Sequence, residues 1–501
     1  MGNWDAILGE LQRKRDFATA MGGPERLDRH RRAGKLNARE RAAALFDEGN
    51  FVELGAFAGN LSEGGEASAP ADGLIAGFGR IDGGPVLAGI EDFTVLAGSI
   101  GDAGSAKRYR LAQLARQERV PLVFMLEGAG HRLTNEHSTP APGDLQALVE
   151  LSGLVPMVCL VMGPSAGHGA LTAPLSDFVV MTEAASLFAA GPPIVKAALG
   201  ETATKEELGG PAVHVKASGL AHNLVTDDSA AIAMARSYLS YFPRNAWEGS
   251  SRTEGPDMQP RMLDGILDLI HPDPRIPFDA RVLLRMLADE GAVLEVQPDF
   301  GGTLVTALAR LGGRSVAIVA NNPAVRAGAV DSAAAQKAAH FLEVADAFHL
   351  PVIFLADNPG VLPGTASERA GVLRSAARMF TVQHRLRTPK LHVTLRKAFG
   401  FGSSIMGMNP FDGQTLTLAF PAISLGAMPA ASGAAAAGLG EAARARAIAE
   451  QTAGAWAMSD KMVYDAVIDP RELRNALLDG LSLVSARLDR PSEPRPGGVT
   501  P

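Results

Sequence analysis

The chain has 501 residues, of which 47% are apolar, 20% charged and 5% aromatic, with a formal net charge of −7. That length exceeds one ordinary core and suits two domains of roughly 200–250 residues each, with the composition of a globular protein. The scattered basic residues argue against a nucleic-acid groove, no apolar run reaches the roughly 18–20 residues that span a bilayer, and the single cysteine, Cys159, excludes an intramolecular disulfide.

The opening MGNWDAILGELQRKRD is polar and amphipathic and holds no apolar signal-peptide core, which together with the lone cysteine points to the cytoplasm. LNARERAAALFDEGNFVEL follows at 36–54. GFGRIDGGPVLAGIEDF (77–93) reads as a strand, a Gly-Gly turn and a second strand. AKRYRLAQLARQ reads as a helix, and VPLVFMLEGAG and VPMVCLVMGPSAGHG as short apolar strands ending in glycine turns, as buried parallel strands do. Cys159 lies inside the last of these and reads as a structural thiol. PRNAWEGSSRTEGPDMQPRMLDGILDLIHPDPR (243–275), rich in Pro, Asp and Gly, marks a boundary.

Beyond that boundary the same series returns. FDARVLLRMLADEGAVLEV (278–296) repeats Arg39, Leu45, Asp47, Gly49 and Glu53 as Arg281, Leu287, Asp289, Gly291 and Glu295, a spacing of 242 (281 − 39). ALARLGGRSVAIVANNP, AQKAAHFLEVADAF and LPVIFLADNPG then place Arg310, Lys337 and Pro351 at a spacing of 230 (310 − 80) from Arg80, Lys107 and Pro121. In TPKLHVTLRKAFGFG, Pro389, Gly400 and Gly402 stand 233 (389 − 156) after Pro156, Gly167 and Gly169. An ordered set of identities at nearly constant spacing is a tandem duplication of one α/β unit, each copy large enough for its own core. The expected division is 1–250, 251–490 and a disordered tail at 491–501, RPSEPRPGGVTP being its sequence signal.

Each unit therefore has two strand ends meeting glycine turns: GAGHR (128–132) with GPSAGHG (163–169), and DNPGVLPG (357–364) with RKAFGFG (396–402). Ligands of open α/β sheets bind beyond such strand ends. Backbone N–H groups from two neighbouring turns can converge on one carbonyl oxygen that becomes negative during reaction, an oxyanion hole. No Walker A sequence, no Rossmann glycine pattern and no zinc-spaced Cys/His pair is present. Ser165 in GPSAGHG superficially resembles a nucleophile elbow without matching its pattern. His131 and His168 are candidates for a proton-transfer pair or for simple space-filling beside the turns.

GKLNARERAAALFDEGNFVE, DGLIAGFGRIDGGPVLAGIEDFTVLAGSIGDAGSAK, MGPSAGHGALTAPLSDF, ELGGPAVHVKASGLAH, DNPGVLPGTASE, RKAFGFGSSIM and DAVIDPRELR, spread over residues 20–490, resemble the carboxyltransferase (beta) subunits of biotin-dependent acyl-CoA carboxylases. The resemblance is to the propionyl-CoA and methylcrotonyl-CoA carboxylase beta-chain family. It implies a tandem duplication of the crotonase-like (ClpP/crotonase) β-β-α spiral domain, with acyl-CoA on the amino-terminal unit and carboxybiotin on the carboxyl-terminal one. It further implies units that meet across a dimer contact in a hexamer, and a separate biotin carboxylase/biotin carrier subunit. Carboxybiotin releases carbon dioxide in that family, and the freed ureido nitrogen takes the α-proton of the thioester.

Carried over by position, the first hole draws on Gly130, His131, Gly167 and His168, and the second on Gly360, Val361, Phe401 and Gly402. Ala129, Ala166, Gly169 and Ser404 are expected to contact substrate. No metal is implied. His131, His168 and Phe401 depart from the family's small residues and must reshape the site. FAAGPPIVKAALGE resembles branched enoyl-CoA enzymes, whereas LPGTASERAGVLRSAAR resembles the propionyl/acetyl type. Three alternatives stand beside this reading: a decarboxylase component on the same fold, a catalytically impaired scaffold subunit, and a serine hydrolase using Ser165.

Overall fold

The computed structural model describes residues 4–59, 69–132, 143–250, 252–255, 257–409, 411–490 and 493–501. Two compact units emerge, one of Met1–Ser240 with Pro496–Val499 and Pro501, the other of Tyr241–Arg495 with Thr500. Where the sequence suggests a disordered tail, Val499 is bonded through both its N–H and its C=O to the Ser152 hydroxyl.

In the first unit, β1 (Val52–Leu54), β2 (Leu74–Ile81) and β3 (Gly84–Glu91) pair antiparallel. From β3 the sheet continues in parallel through β4 (Leu122–Leu126), β5 (Met157–Val161), β7 (Phe178–Thr182) and β9 (Asn223–Val225). The short β6 (Pro164–Ala166) and β8 (Ser186–Phe188) form a separate pair. Helix α1 (Ala38–Leu45) starts on a capping box, in which Asn37 accepts from Glu40 N–H while the Glu40 carboxylate accepts from Asn37 N–H. Helix α2 (Asp102–Glu118) crosses from β3 to β4, as a parallel connection requires.

The second unit repeats this plan. β10 (Val293–Val296), β11 (Leu304–Leu311) and β12 (Arg314–Asn321) are antiparallel, and β13 (Val352–Asn358), β14 (Lys390–Phe399) and β15 (Gln414–Ala419) follow in parallel. β16 (Ser424–Gly426) pairs with the far end of β14, and β17 (Ala466–Val467) with β15. Register is repeated residue for residue: Leu74 faces Glu91 as Leu304 faces Asn321, and Leu87 faces Leu122 as Ala317 faces Val352. The shift of three residues in spacing falls between β4 and β5, because Leu122 faces Met157 while Val352 faces Lys390. The duplication read from scattered identities is thus a duplication of hydrogen-bond ladders.

Both hairpins are closed by the same device. Asp47 accepts from the N–H groups of Asp82 and Gly83 at 3.1 and 3.0 Å, and Asp289 from those of Gly312 and Gly313 at 3.0 and 2.7 Å. The two repeated lysines are buried among carbonyls. Lys107 Nζ donates to Ala71 and Leu74, and Lys337 Nζ to Gln297, Phe300 and Leu304. Cys159 is fully buried in the middle of β5, and burial pushes its thiol pKa up. The parallel strands are buried on both faces; one apolar cluster gathers Leu122, Phe124, Cys159 and Val161 in the first unit, and another Ile353, Leu355, Leu391 and Val393 in the second. Among the described residues no helix is long and apolar enough to cross a membrane.

Candidate active site

In the first unit β4 runs into Gly128–Arg132, and β5 runs through β6 into the short helix α4 (Gly167–Ala170). These two turns touch. Ala166 N–H donates to Gly128 O at 3.0 Å, and a Cβ on Gly130, which holds φ +84, would sit 2.8 Å from Ala166 O. Only glycine meets both the left-handed angle and the close approach. Ile100 N–H donates to Gly130 O and Arg132 N–H to Ile100 O, so residues 130 and 132 face Ile100. The N–H of His131, between them, is turned to the opposite side, as alternation along an extended chain demands. The first-turn N–H groups of Gly167 and His168 have no carbonyl four residues back within α4.

The second unit has the same backbone. Val330 N–H donates to Gly360 O and Leu362 N–H to Val330 O, which turns Val361 N–H outward as at His131. Gly400 opens helix α5 (Gly400–Ile405) at φ +55, matching Gly167 at φ +58. A Cβ on Gly402 would lie 2.6 Å from Gly360 Cα, so these turns touch as well. Asn358 ties them, accepting from Gly360 N–H and donating to Gly402 O, both at 2.7 Å.

The side chains differ between the units. His131 and His168 meet edge to face with ring centroids 4.4 Å apart. His168 Nε2 lies 2.7 Å from Asp144 Oδ1, on helix α3 (Asp144–Val149), and the other Asp144 oxygen accepts from Arg108 Nε at 2.8 Å. Arg108, on α2, also donates to the Thr172 hydroxyl and lies 3.5 Å from Glu91 Oε1. Burial pushes the Asp144 carboxyl up, but the His168 hydrogen bond and the Arg108 charge outweigh it and hold the pKa at about 2. Burial, and then the neighbouring His168, lower the pKa of His131. Glu91 moves the other way, to about 7, because burial dominates over Arg108.

At the equivalent places the second unit has Val361, Phe401 and Ala338. Phe401 is 43% exposed and packs on Phe380, ring centroids 5.4 Å apart, rather than on a polar group. Beneath each first turn a buried carboxylate holds two cations. Glu127 binds Lys35 and Arg41, while Asp357 binds Arg396, at 2.9 Å from its Nε, and Lys397. Arg132 is anchored away from the turn by Asp72 at 2.7 Å and by Ser99 O.

The remaining expected contacts divide in the same way. Ala129, Ala166 and Gly169 border the first pair of turns; Ala129 N–H donates to Ala97 O, and a Cβ on Gly169 would meet Glu91 at 3.1 Å. Ser404 lies on α5, two residues past Gly402, with its C=O bonded to Asn409 Nδ2 and Gly407 N–H. Ser165 is 1% exposed and its hydroxyl is directed at Gly163 O, so it has neither the access nor the base of a nucleophile. Among the described residues no group of three or more His, Cys, Asp or Glu side chains could hold a metal ion.

Sequence reasoning missed Asp144 and Arg108. The signal for Arg108 was available, since it sits at the spacing of 230 (338 − 108) from an alanine, as His131 does from a valine. Asp144 lies in the stretch where the spacing changes, and no repeat position marks it.

The description of carboxyl transferase domains matches residues 29–489. A propionyl-CoA carboxylase carboxyltransferase subunit of Haloferax mediterranei is 33% identical over 505 residues, covering 97% of each chain. The methylmalonyl-CoA decarboxylase subunit alpha of Veillonella parvula is 31% identical over 502 residues, covering 98% of each. The crystal structure of transcarboxylase 12S, a hexamer seen with methylmalonyl-coenzyme A bound, superposes with a TM-score of 0.90 at 33% identity over the whole of both chains. With both pairs of turns, their ladders and nearly the full length accounted for, the chain belongs to the carboxyl transferase family that the acyl-CoA carboxylase carboxyltransferase subunits share.

Proposed function

We propose that this chain is the carboxyltransferase of a biotin-dependent acyl-CoA carboxylase, moving a carboxyl group to the α (or vinylogous γ) carbon of an acyl-CoA thioester. The observation that carries the reading is the duplicated pair of touching turns, each presenting outward N–H groups, in a chain matched over nearly its whole length by the family. The acyl thioester sits at the first pair, where the N–H groups of His131 and of Gly167–His168 stabilise the enolate oxygen. Ala129, Ala166 and Gly169 border the acyl group there, and Ser404 borders the second site.

The second pair suits a neutral, flat cyclic urea. Asn358 fixes the two turns against each other and Val361 and Phe401 give apolar walls, and backbone N–H groups of Gly360–Val361 and Phe401–Gly402 hold one oxygen. When bound there, carboxybiotin supplies the carboxyl group. The chain itself binds, orients and excludes water. Biotin arrives on a separate carrier subunit, the chain assembles as a hexamer, and it works in the cytoplasm.

Supplying the chain with a biotin carboxylase/biotin carrier subunit, ATP and labelled bicarbonate tests this with acetyl-, propionyl- and 3-methylcrotonyl-CoA. Acid-stable label in one thioester is the expected result. Carboxylated carrier that accumulates without passing label to any of them would overturn it. The end-to-end match to the methylmalonyl-CoA decarboxylase subunit favours a second reading, in which the same site runs toward carbon dioxide release. Carbon dioxide release from methylmalonyl-CoA with no forward carboxylation would select it.

A further inference from the structure

The His131–His168–Asp144 cluster has no counterpart in the second unit, where Val361 and Phe401 stand on the same backbone. Asp144 is 2% exposed and kept ionised, so both its oxygens accept hydrogen bonds. Its contact at 2.7 Å therefore fixes the proton of His168 on Nε2 and leaves the lone pair on Nδ1. Nδ1 is the ring nitrogen nearer the backbone, hence nearer the N–H of the same residue. Among the described residues nothing is bonded to it. The His131 ring, exposed to solvent, meets the His168 ring edge to face with centroids 4.4 Å apart and gives a route for proton exchange with water.

We infer that His168, oriented by Asp144, is a proton-transfer residue of this chain's own, which catalyses exchange of the acyl-CoA α-proton with solvent in the absence of biotin. The inference rests on the placement of the thioester at the first pair of turns. The α C–H bond (the γ C–H bond in 3-methylcrotonyl-CoA, whose α C–H is vinylic) breaks, an N–H bond forms at His168 Nδ1, and the electron pair moves onto the thioester oxygen held by the backbone N–H groups. Asp144 stabilises the imidazolium, as the acid of a triad does. Return of a solvent-derived proton restores the C–H bond. No oxidant, reductant or co-reactant is consumed. The titratable groups in contact with His168 are His131 on the first turn and Asp144 on α3; behind them Arg108 on α2 binds Asp144 and approaches Glu91 on β3, and Asp102 on α2 acts on His131.

The test incubates the full chain, without carrier subunit, with acetyl-, propionyl- or 3-methylcrotonyl-CoA in deuterated water and follows mass gain by mass spectrometry. Deuterium uptake into a thioester is expected, falling about 100-fold or more in His168→Phe, with a smaller loss and a changed pH–rate profile in Asp144→Asn. Phe401 shows that this backbone accepts phenylalanine, so His168→Phe keeps the N–H donor. Added imidazole is expected to restore exchange in His168→Ala, which a structural role would not allow. A chain that transfers carboxyl to a thioester yet never exchanges its α-proton overturns this inference and leaves the proposed function standing. A chain that binds none of the three thioesters overturns both. Exchange that survives undiminished in His168→Phe assigns the proton to another group and overturns it as well.

Discussion

The two units share their ladders, their hairpin closures and the left-handed glycines at their turns, and they differ in what stands on those turns. In the first unit the side chains beside the outward N–H groups are His131 and His168, backed by Asp144 and Arg108. In the second they are Val361 and Phe401, backed by Phe380. A backbone N–H keeps its hydrogen-bonding capacity whatever its side chain, so duplication preserved the donors. The surroundings were free to become polar in one copy and apolar in the other. The pattern fits a first site that handles a proton and a second that handles a neutral ring.

The most forceful way to break this comparison is to delete one donor in each copy. His168→Pro and Phe401→Pro both place proline in the first turn of a short helix, where its ring is tolerated and its N–H is lost. Each variant is expected to lose about 100- to 1,000-fold in carboxyl transfer, about 3–4 kcal/mol of transition-state stabilisation. The partial reactions separate them. His168→Pro should also lose thioester proton exchange, whereas Phe401→Pro should keep it. Equal loss of exchange in both would mean that the two sites do not divide the work as proposed.

A second comparison concerns Glu91, whose place in the second unit is taken by Asn321. The two do the same job: Glu91 accepts from Glu127 N–H at 2.8 Å, and Asn321 accepts from Asp357 N–H at 3.1 Å. Burial raises the Glu91 carboxyl from an ordinary 4.5 to about 7, which brings it close to a neutral amide. Because the folded pKa lies above the unfolded one, the contribution of Glu91 is fully present below about pH 4.5. It is lost as pH rises through about 7, to the extent of about 3 kcal/mol. Glu91→Gln should therefore flatten the stability profile between pH 5 and 8 by roughly that amount. Unfolding midpoints of both proteins across this range check it, and parallel profiles would show that Glu91 stays ionised.

Much of this was legible in the sequence and some of it was not, for a physical reason. Repeated identities such as Lys107/Lys337 and Asp47/Asp289 survive because each satisfies several backbone groups at once. They exposed the duplication, the hairpins and the position of both pairs of turns. The site's polar backing was hidden, because Asp144 and Arg108 come from helices whose approach to His168 is set by tertiary packing. A helix face alone does not report which turn it will meet.

The buried lysines grade the comparison more finely. Lys337 satisfies three carbonyls and is 2% exposed, and Lys107 satisfies two and is 7% exposed. Replacement by methionine keeps the bulk and strands the carbonyls, each a desolvated acceptor. Lys337→Met is expected to cost about 3 kcal/mol and Lys107→Met about 2 kcal/mol, read from the unfolding midpoint of each unit. The reverse order would mean that the lysine of the first unit has partners beyond these two.

The smallest effect belongs to the repeated ion pairs Arg39–Glu53 and Arg281–Glu295, closest contacts 2.8 and 2.7 Å. Their side chains remain between 15% and 29% exposed, so water already solvates part of each charge and the net gain from pairing is small. Glu53→Gln and Glu295→Gln should each cost no more than about 1 kcal/mol, and the cost should shrink in high salt. Arg281 does have a second partner, Asp279 at 3.6 Å, which remains when Glu295 is neutralised. Glu295→Gln should then be the milder of the two. Thermal unfolding of both variants at low and high salt decides it: a larger loss at Glu295 would mean that Asp279 contributes nothing to holding Arg281, and that the duplicated pairs are not equivalent.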